Sequence, residues 1–544
     1  MKSTKAHINA GSTPATTSSG HASFVSNMGR TSSASNMGRA SSIRKVGAFA
    51  VSACLAFSLA AFAGCSSNTD NSESASTEEA SQTSSSVPTK DSLTITQTIE
   101  NSADGEHAIT ADGEEASYSN TAVTKTGDSD SGDEADFYGD NAAIFATNGA
   151  TLDLSEMLVE TAGKHANGVF SYGEGTTVNI SNSVIETTGD CSGGLMTTGG
   201  GTMNATNLSI STSGNSSAAI RSDRGGGTVT VNGGAYKTTG TGSPVIYSTA
   251  DITVSDATLE STASQGVVVE GKNSVTLNNV DLTADNNTKN SDKSSYYQAV
   301  MIYQSMSGDA ATGKASFTMD GGSITNANGD VFFVNNTVAE INLTGANIVN
   351  NGDGVFLRAE AAGWGSDGSN GGQVTLNASA QTIDGNMVVD SVSNLNLYLA
   401  DASTFTGAIN SDGEGGEVYV ELTGASKWVL TADSYITSLT CDADSIDLNG
   451  HTLYVDGVAY TSGTSSTGSA IEVVETSGSG NGGGDMGGDK PDGEAPDGEG
   501  GMGPGGEGGA GDPGAGDPGA GGAGGDKPDS KPDAAPGGEG GGKQ

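Results

Sequence analysis

The apolar positions of this chain fall into one phrase, written eight times: apolar-x-apolar, four spacer residues, apolar. Its instances are Leu152/Leu154/Val159, Val178/Ile180/Ile185, Met203/Ala205/Ile210, Val229/Val231/Tyr236, Ile252/Val254/Leu259, Val275/Leu277/Leu282, Phe317/Met319/Ile324 and Ile341/Leu343/Ile348. Counted at the middle residue, successive copies lie 26, 25, 26, 23, 23, 42 and 24 residues apart. A period of this length marks a solenoid, in which each repeat packs only on its neighbours. Apolar residues two apart in a Val/Ile/Thr-rich run point to one face of a strand. Asn, Asp and Gly follow these pairs at Asn182, Asn207, Asn232-Gly233-Gly234, Asp256, Asn278-Asn279, Asp320-Gly321-Gly322 and Gly345, and their turn chemistry bends the strand before it resumes. A further apolar strand opens each repeat, at Ile144, Val169, Leu195, Ile220, Ile246, Val267, Met301, Val331, Val355 and Met387. Three short strands per turn, with no 3.6 period between them, predict an all-β chain folded as a right-handed parallel β-helix, a solenoid of roughly 10–12 coils of about 23–26 residues each.

The flanks divide the chain further. Arg44-Lys45 precede an uncharged run from Val46 to Ala63, too short for a stable spanning helix and of the length of a secretory signal. Ala61-Phe62-Ala63 fits a small-x-small cleavage pattern, and Phe62-Ala63-Gly64-Cys65 resembles a bacterial lipoprotein box, so Cys65 is the expected lipidation site. The duplicated words Ser26-Asn27-Met28-Gly29-Arg30 and Ser35-Asn36-Met37-Gly38-Arg39 place an alternative start at Met28 or Met37. The expected organisation is a signal region 1–64, a lipidated flexible tether 65–91, an N-terminal cap and first coil 92–141, the β-helix 142–410, C-terminal coils and cap 411–474, and a disordered acidic tail 475–544. No Val, Ile, Leu or aromatic residue follows Val474, and a segment without apolar side chains has nothing to bury against its ordering entropy.

Charge bounds the partners. With 65 acidic against 22 basic residues and a net charge of −43, non-specific nucleic-acid binding is excluded, because neutralising phosphates needs clustered Lys and Arg. The same balance admits calcium as a possible cofactor, with no other cofactor expected. Of the four cysteines, Cys54 leaves with the signal and Cys65 is lipidated. Cys191 and Cys441 lie many coils apart, beyond the reach of a disulfide. Neither a cysteine-based metal site nor a histidine ligand pair at useful spacing emerges, and the metal expectation is none.

The segment Ser426-Lys427-Trp428-Val429-Leu430, continuing to Leu439 and followed by Ile446-Asp447-Leu448-Asn449-Gly450-His451-Thr452-Leu453, resembles the last β-helix coils of autotransporter passengers and related surface adhesins. At the level of periodicity the rest is similar to the broader parallel β-helix group, which includes pectate lyases. The resemblance implies an exported, surface-displayed protein whose lipid anchor takes the place of a membrane barrel.

The interior of such a solenoid is filled, so function belongs to its exterior. On the opening strands the expected outward column is Phe145, Phe170, Met196, Arg221, Tyr247, Val268, Ile302, Phe332, Phe356 and Val388. A stripe of this kind is covered by loops, or lies one residue out of the register assigned to it, or forms an elongated platform on which sugar rings stack. Insertions run from Asp285 to Gln298 with Tyr296-Tyr297, from Gln304 to Lys314, and from Glu360 to Gln373 with Trp364 and Asp367. Loops raised on a rigid scaffold commonly carry binding. The expected ligand-binding set is therefore Trp364, Tyr296, Tyr297, Asp367, Phe145, Phe170 and Tyr247, serving an adhesin or carbohydrate-binding protein without catalysis, with an extracellular glycan or a host or microbial surface as partner. The alternative is a polysaccharide lyase or glycosidase using Arg221, Asp223 and Arg224, with Arg358 and Glu360 on a later coil. A surface ion pair between Asp223 and Arg224 is the plainer account of that corner. A second alternative is a self-associating envelope protein that docks through the stripe.

Overall fold

In the computed structural model the described residues are 86–289, 291–352 and 354–473. The signal region, Cys65 and the 475–544 tail lie outside them. Among the described residues no helix is long and apolar enough to cross a membrane.

Strands recur in threes. One coil runs Ile109–Asp112, Glu115–Ser119 and Thr121–Lys125, and the next runs Ile144–Thr147, Thr151–Ser155 and Leu158–Thr161. Each strand pairs in parallel with its counterparts in adjacent coils, which makes the chain a parallel β-helix. The opening strands form one sheet of 11, from Ile109–Asp112 to Asn386–Val389. The second and third strands merge into one sheet of 21, because Gly201–Thr212 and Gly227–Thr238 run through the corner without a break.

The repeated phrases stack in phase. Leu152, Val178, Met203, Val229, Ile252, Val275, Phe317 and Ile341 form one continuous ladder. It continues beyond the eighth phrase through Leu376, Leu397, Val420 and Leu439. Every rung is buried, and burying one such side chain contributes roughly 1.5–3 kcal/mol. The 42-residue interval is an ordinary coil with two loops added, since Val267 still pairs with Val300 and Val275 with Phe317.

The corner before the opening strand is fixed by contact between glycines. A Cβ added to Gly163, Gly189, Gly214 or Gly240 would lie 1.8–2.0 Å from the carbonyl oxygen of the glycine one coil earlier. Beside it runs a serine ladder, with the hydroxyls of Ser192, Ser217 and Ser243 donating to the carbonyls of Gly163, Gly189 and Gly214 at 2.9, 3.1 and 2.8 Å. These bonds satisfy groups that the corner removes from water, and leaving them unmade would cost stability.

Both ends fold back on the coils. At the front, Asn207 Nδ2 donates to the Ser86 carbonyl, Lys90 bonds Glu160 and Glu186 at 2.7 Å each, and Asn120 Nδ2 reaches the Thr94 carbonyl at 2.9 Å. At the back, Trp428 stacks on Phe405 at 5.4 Å and donates Nε1–H to the Gly407 carbonyl. Leu453–Val455 then pairs antiparallel with Val458–Ala459, and Asn396 holds Ile471 through both backbone groups.

Candidate functional site

On the outer side of the opening strands, Phe145, Phe170, Met196, Arg221, Tyr247 and Val268 stack in register as expected. The frame then departs from expectation. Val268 pairs with Met301, Met301 with Phe333, Phe333 with Arg358, and Arg358 with Val388. Ile302, Phe332 and Phe356, expected outside, belong to the main core instead. The insertion before Gln298 resets the phase of that strand, and an irregularity between Val355 and Leu357 resets it again.

The stripe is covered. Phe170 and Met196 are buried with Ala142 in one patch, flanked by half-buried Phe145 and Tyr172. Tyr247, Val268, Met301, Tyr303, Phe333 and Trp364 form a second patch. Over the first lies the helix Gly132–Tyr138, tied down where the Thr198 hydroxyl donates to the Phe137 carbonyl at 2.7 Å and Tyr138 meets the edge of Tyr172. Over the second lie two insertions, joined where Gly363 N–H donates to the Lys293 carbonyl at 2.7 Å.

Trp364, expected either to contact a ligand or to pack back over the stripe, does the latter: it is 2 % exposed and packs edge-on against Tyr303 at 5.2 Å. The reason is local: Asn370 Nδ2 donates to the carbonyls of Ala362 and Trp364 and folds the loop inward. Tyr296 is half-buried beneath the Arg358 guanidinium at 3.7 Å, and Tyr297 is half-buried with Lys289 over its ring. Asp367 is exposed. The structure thus gathers Trp364, Tyr296 and Tyr247 in one patch and Phe145 with Phe170 in another. With Phe170, Tyr247 and Trp364 buried, the ring-stacking platform is absent among the described residues.

Between and beneath the patches the side chains are polar. Arg221, 1 % exposed, bonds Asp223 at 2.7 Å, lies 5.9 Å from the Tyr247 ring centre, and approaches Asp136 at 3.8 Å. Arg224 binds Asp309 with Nε and Nη2 and stacks on Phe137 at 3.9 Å. The expected Asp223–Arg224 side-chain pair is therefore replaced: each residue has a better-placed partner, and only the Arg224 backbone N–H reaches Asp223. Further along, Tyr247 and Tyr303 both donate to the buried Glu270. Arg358 joins Asp330 at 2.7 Å and Glu360 at 3.1 Å, and Tyr296 donates to Glu360. Burial, and next the nearby Glu360, raises the Tyr296 phenol above its ordinary value. This array ties the flaps to the coils through its arginine–carboxylate and tyrosine–carboxylate contacts.

Sequence spacing alone hid one constellation. His165 has Nδ1 2.9 Å from Asp136 Oδ1, and Cys191 stands beside both. Burial, with Asp136 adding to it, pushes the Cys191 thiol up to about 12. The signal was present as an interval: His165 and Cys191 lie one coil apart, so the fold stacks them. Cys191 and Cys441 are both free and buried.

The outer side of the second strands is open to solvent, as is that of the third, where Ser211, Lys237 and Thr283 are exposed. The rows of the second strands are carboxylate, amide and hydroxyl side chains in register: Asp153, Asn179, Asn204, Thr230, Thr253, Thr276 and Thr318 in one, Thr151, Thr177, Thr202 and Thr228 beside it. Asn179 donates to Asp153 at 2.8 Å and Asn204 to Asn179 at 2.9 Å, which orients the amides along the row. A shallow groove of about 500 Å³ opens here, lined by Asp153, Asn179, Asn204 and Thr206 together with Ser117, Ser119, Ser155 and Ser181. Large exposed apolar side chains among the described residues are few and separate in the sequence: Val87, Met306, Val349 and Val458. No family model, no curated protein and no solved structure matches this chain.

Proposed function

We propose that this chain is an exported, lipid-anchored surface protein that binds hydroxyl-rich polymers such as glycans, as an adhesin or carbohydrate-binding protein, along the open face of its second strands. The observation that supports this is the Asp153–Asn179–Asn204 ladder within aligned rows of threonine and serine. It offers donors and acceptors at the coil spacing of about 4.8 Å, with amides already oriented, which lowers the entropic cost of engaging a long ligand. The anchor rests on Phe62-Ala63-Gly64-Cys65. An extended polymer that makes many weak polar contacts suits a rigid face better than a deep pocket.

The cleaving alternative is disfavoured because Arg221 and Asp223 are buried and paired with one another. Self-association through the stripe is disfavoured because the flaps already occupy it. The test is retention of the full chain on a glycan array, with and without calcium, beside an assay for released reducing ends and unsaturated uronates. We expect retention without product, and an at least tenfold loss of affinity in Asn179→Arg with the melting temperature unchanged. Product release, or equal retention by Asn179→Arg, would overturn the proposal.

A further inference from the structure

Three side chains with no part in that function meet beneath the helix Gly132–Tyr138. Asp136 comes from the helix itself, while His165 and Cys191 come from two successive coils under it. One potential ligand atom from each lies within 4.8 Å of the others, and the residues are 8 %, 6 % and 5 % exposed. His165 and Cys191 occupy the same corner position, four residues before the paired Val169 and Leu195, with φ of 56° and 55°. The same backbone turn repeated one coil later is what stacks them.

We propose that Asp136, His165 and Cys191 form a binding site for a divalent cation of the zinc class, which staples the helix to the two coils beneath it. A thiolate, an imidazole and a carboxylate are the donor set of a borderline-soft ion, whereas calcium and magnesium take oxygen donors. On binding, the S–H bond of Cys191 breaks, a metal–sulfur bond forms and the proton leaves to solvent, with no change of oxidation state. Ligand atoms on a tetrahedral zinc lie roughly 3.3–3.8 Å apart, so the 2.9 Å His165–Asp136 contact opens by about half an ångström as the ion enters.

The competing arrangement is an imidazolium–carboxylate pair that needs no ion, and one experiment separates the two. The purified full chain is loaded with zinc or cobalt, gel-filtered, and read for metal content and for a thiolate-to-cobalt charge-transfer band. Amide exchange over Gly132–Tyr138 is measured with and without zinc. The variants are Cys191→Ser and His165→Asn. Serine stands at the same corner in the next coil, Ser216 with φ 53°, and asparagine tolerates that conformation, so both variants keep the backbone. We expect one zinc per chain, a charge-transfer band, and slower exchange of the helix with zinc. Cys191→Ser then lacks the band, and both variants bind zinc at least tenfold more weakly with unchanged circular dichroism. Absence of the band in the wild-type chain, its persistence in Cys191→Ser, or helix exchange indifferent to zinc would overturn the site.

Discussion

Trp364 was the strongest aromatic signal in the sequence, and its burial changes what its removal does. Truncating it empties the space beside Tyr303, and a buried tryptophan lost to alanine costs about 3–5 kcal/mol. We expect Trp364→Ala to speed amide exchange over residues 360–371 and 291–297 while leaving glycan retention intact; retention lost with the loops still protected would return this residue to the binding set. Residue identity told little about partners here. Arg224 finds Asp309 85 residues away, and Asn370 folds the Trp364 loop by bonds that no local pattern announces. His165 and Cys191 were legible only to a reader who measured their spacing against the coil period.

At the level of elements the strands were the readable part, because an inward aliphatic residue every second position is demanded by the core wherever a coil passes. The readable frame ended where insertions intervened: one added residue moves a side chain from one side of a strand to the other, which is how Met301 and Phe333 took the places expected of Ile302 and Phe332. The helix Gly132–Tyr138 escaped because seven residues with two acidic ones in the first turn carry no apolar period. Charge adds to the hydrogen bonds that hold the segment leading into the first coil. Hydrogen bonds donated to Glu160, then to Glu186, raise the Lys90 ammonium above its ordinary 10.5. Its folded value exceeds its unfolded one, so the stabilisation is complete below pH 10.5 and is lost as pH rises through the folded value. Lys90 is 40 % exposed, and screening limits each pair to under about 0.5 kcal/mol. Limited proteolysis near Thr89 is expected to accelerate in Lys90→Ala, in high salt and above pH 10.5, with no change in the coils; insensitivity to all three would show that backbone contacts alone hold the segment.

Across the whole molecule, stability is a chain of nearest-neighbour terms, so damage stays where it is made. Trp428→Ala removes the stacked closure on Phe405 and is expected to cost about 3–5 kcal/mol locally. Exchange should quicken from Glu417 to Val455 while the ladder from Leu152 to Val229 keeps its protection. A uniform loss of protection would contradict this independence of the coils. The sequence disclosed the stacking and offered covering by loops as one reading of the stripe, but not the contacts that make it, since coil contacts recur with a fixed period and flap contacts occur once.

The corner glycines have a consequence for descent. Gly163, Gly189, Gly214 and Gly240 are pinned by the carbonyl below, yet two residues on, the same left-handed turn carries His165, Cys191, Ser216 and Gly242 with φ from 53° to 64°. Four unlike side chains share one backbone. Duplicating a coil would therefore copy this buried position along with its scaffold, and a single codon change could place new chemistry there in any side chain that accepts burial and a left-handed backbone.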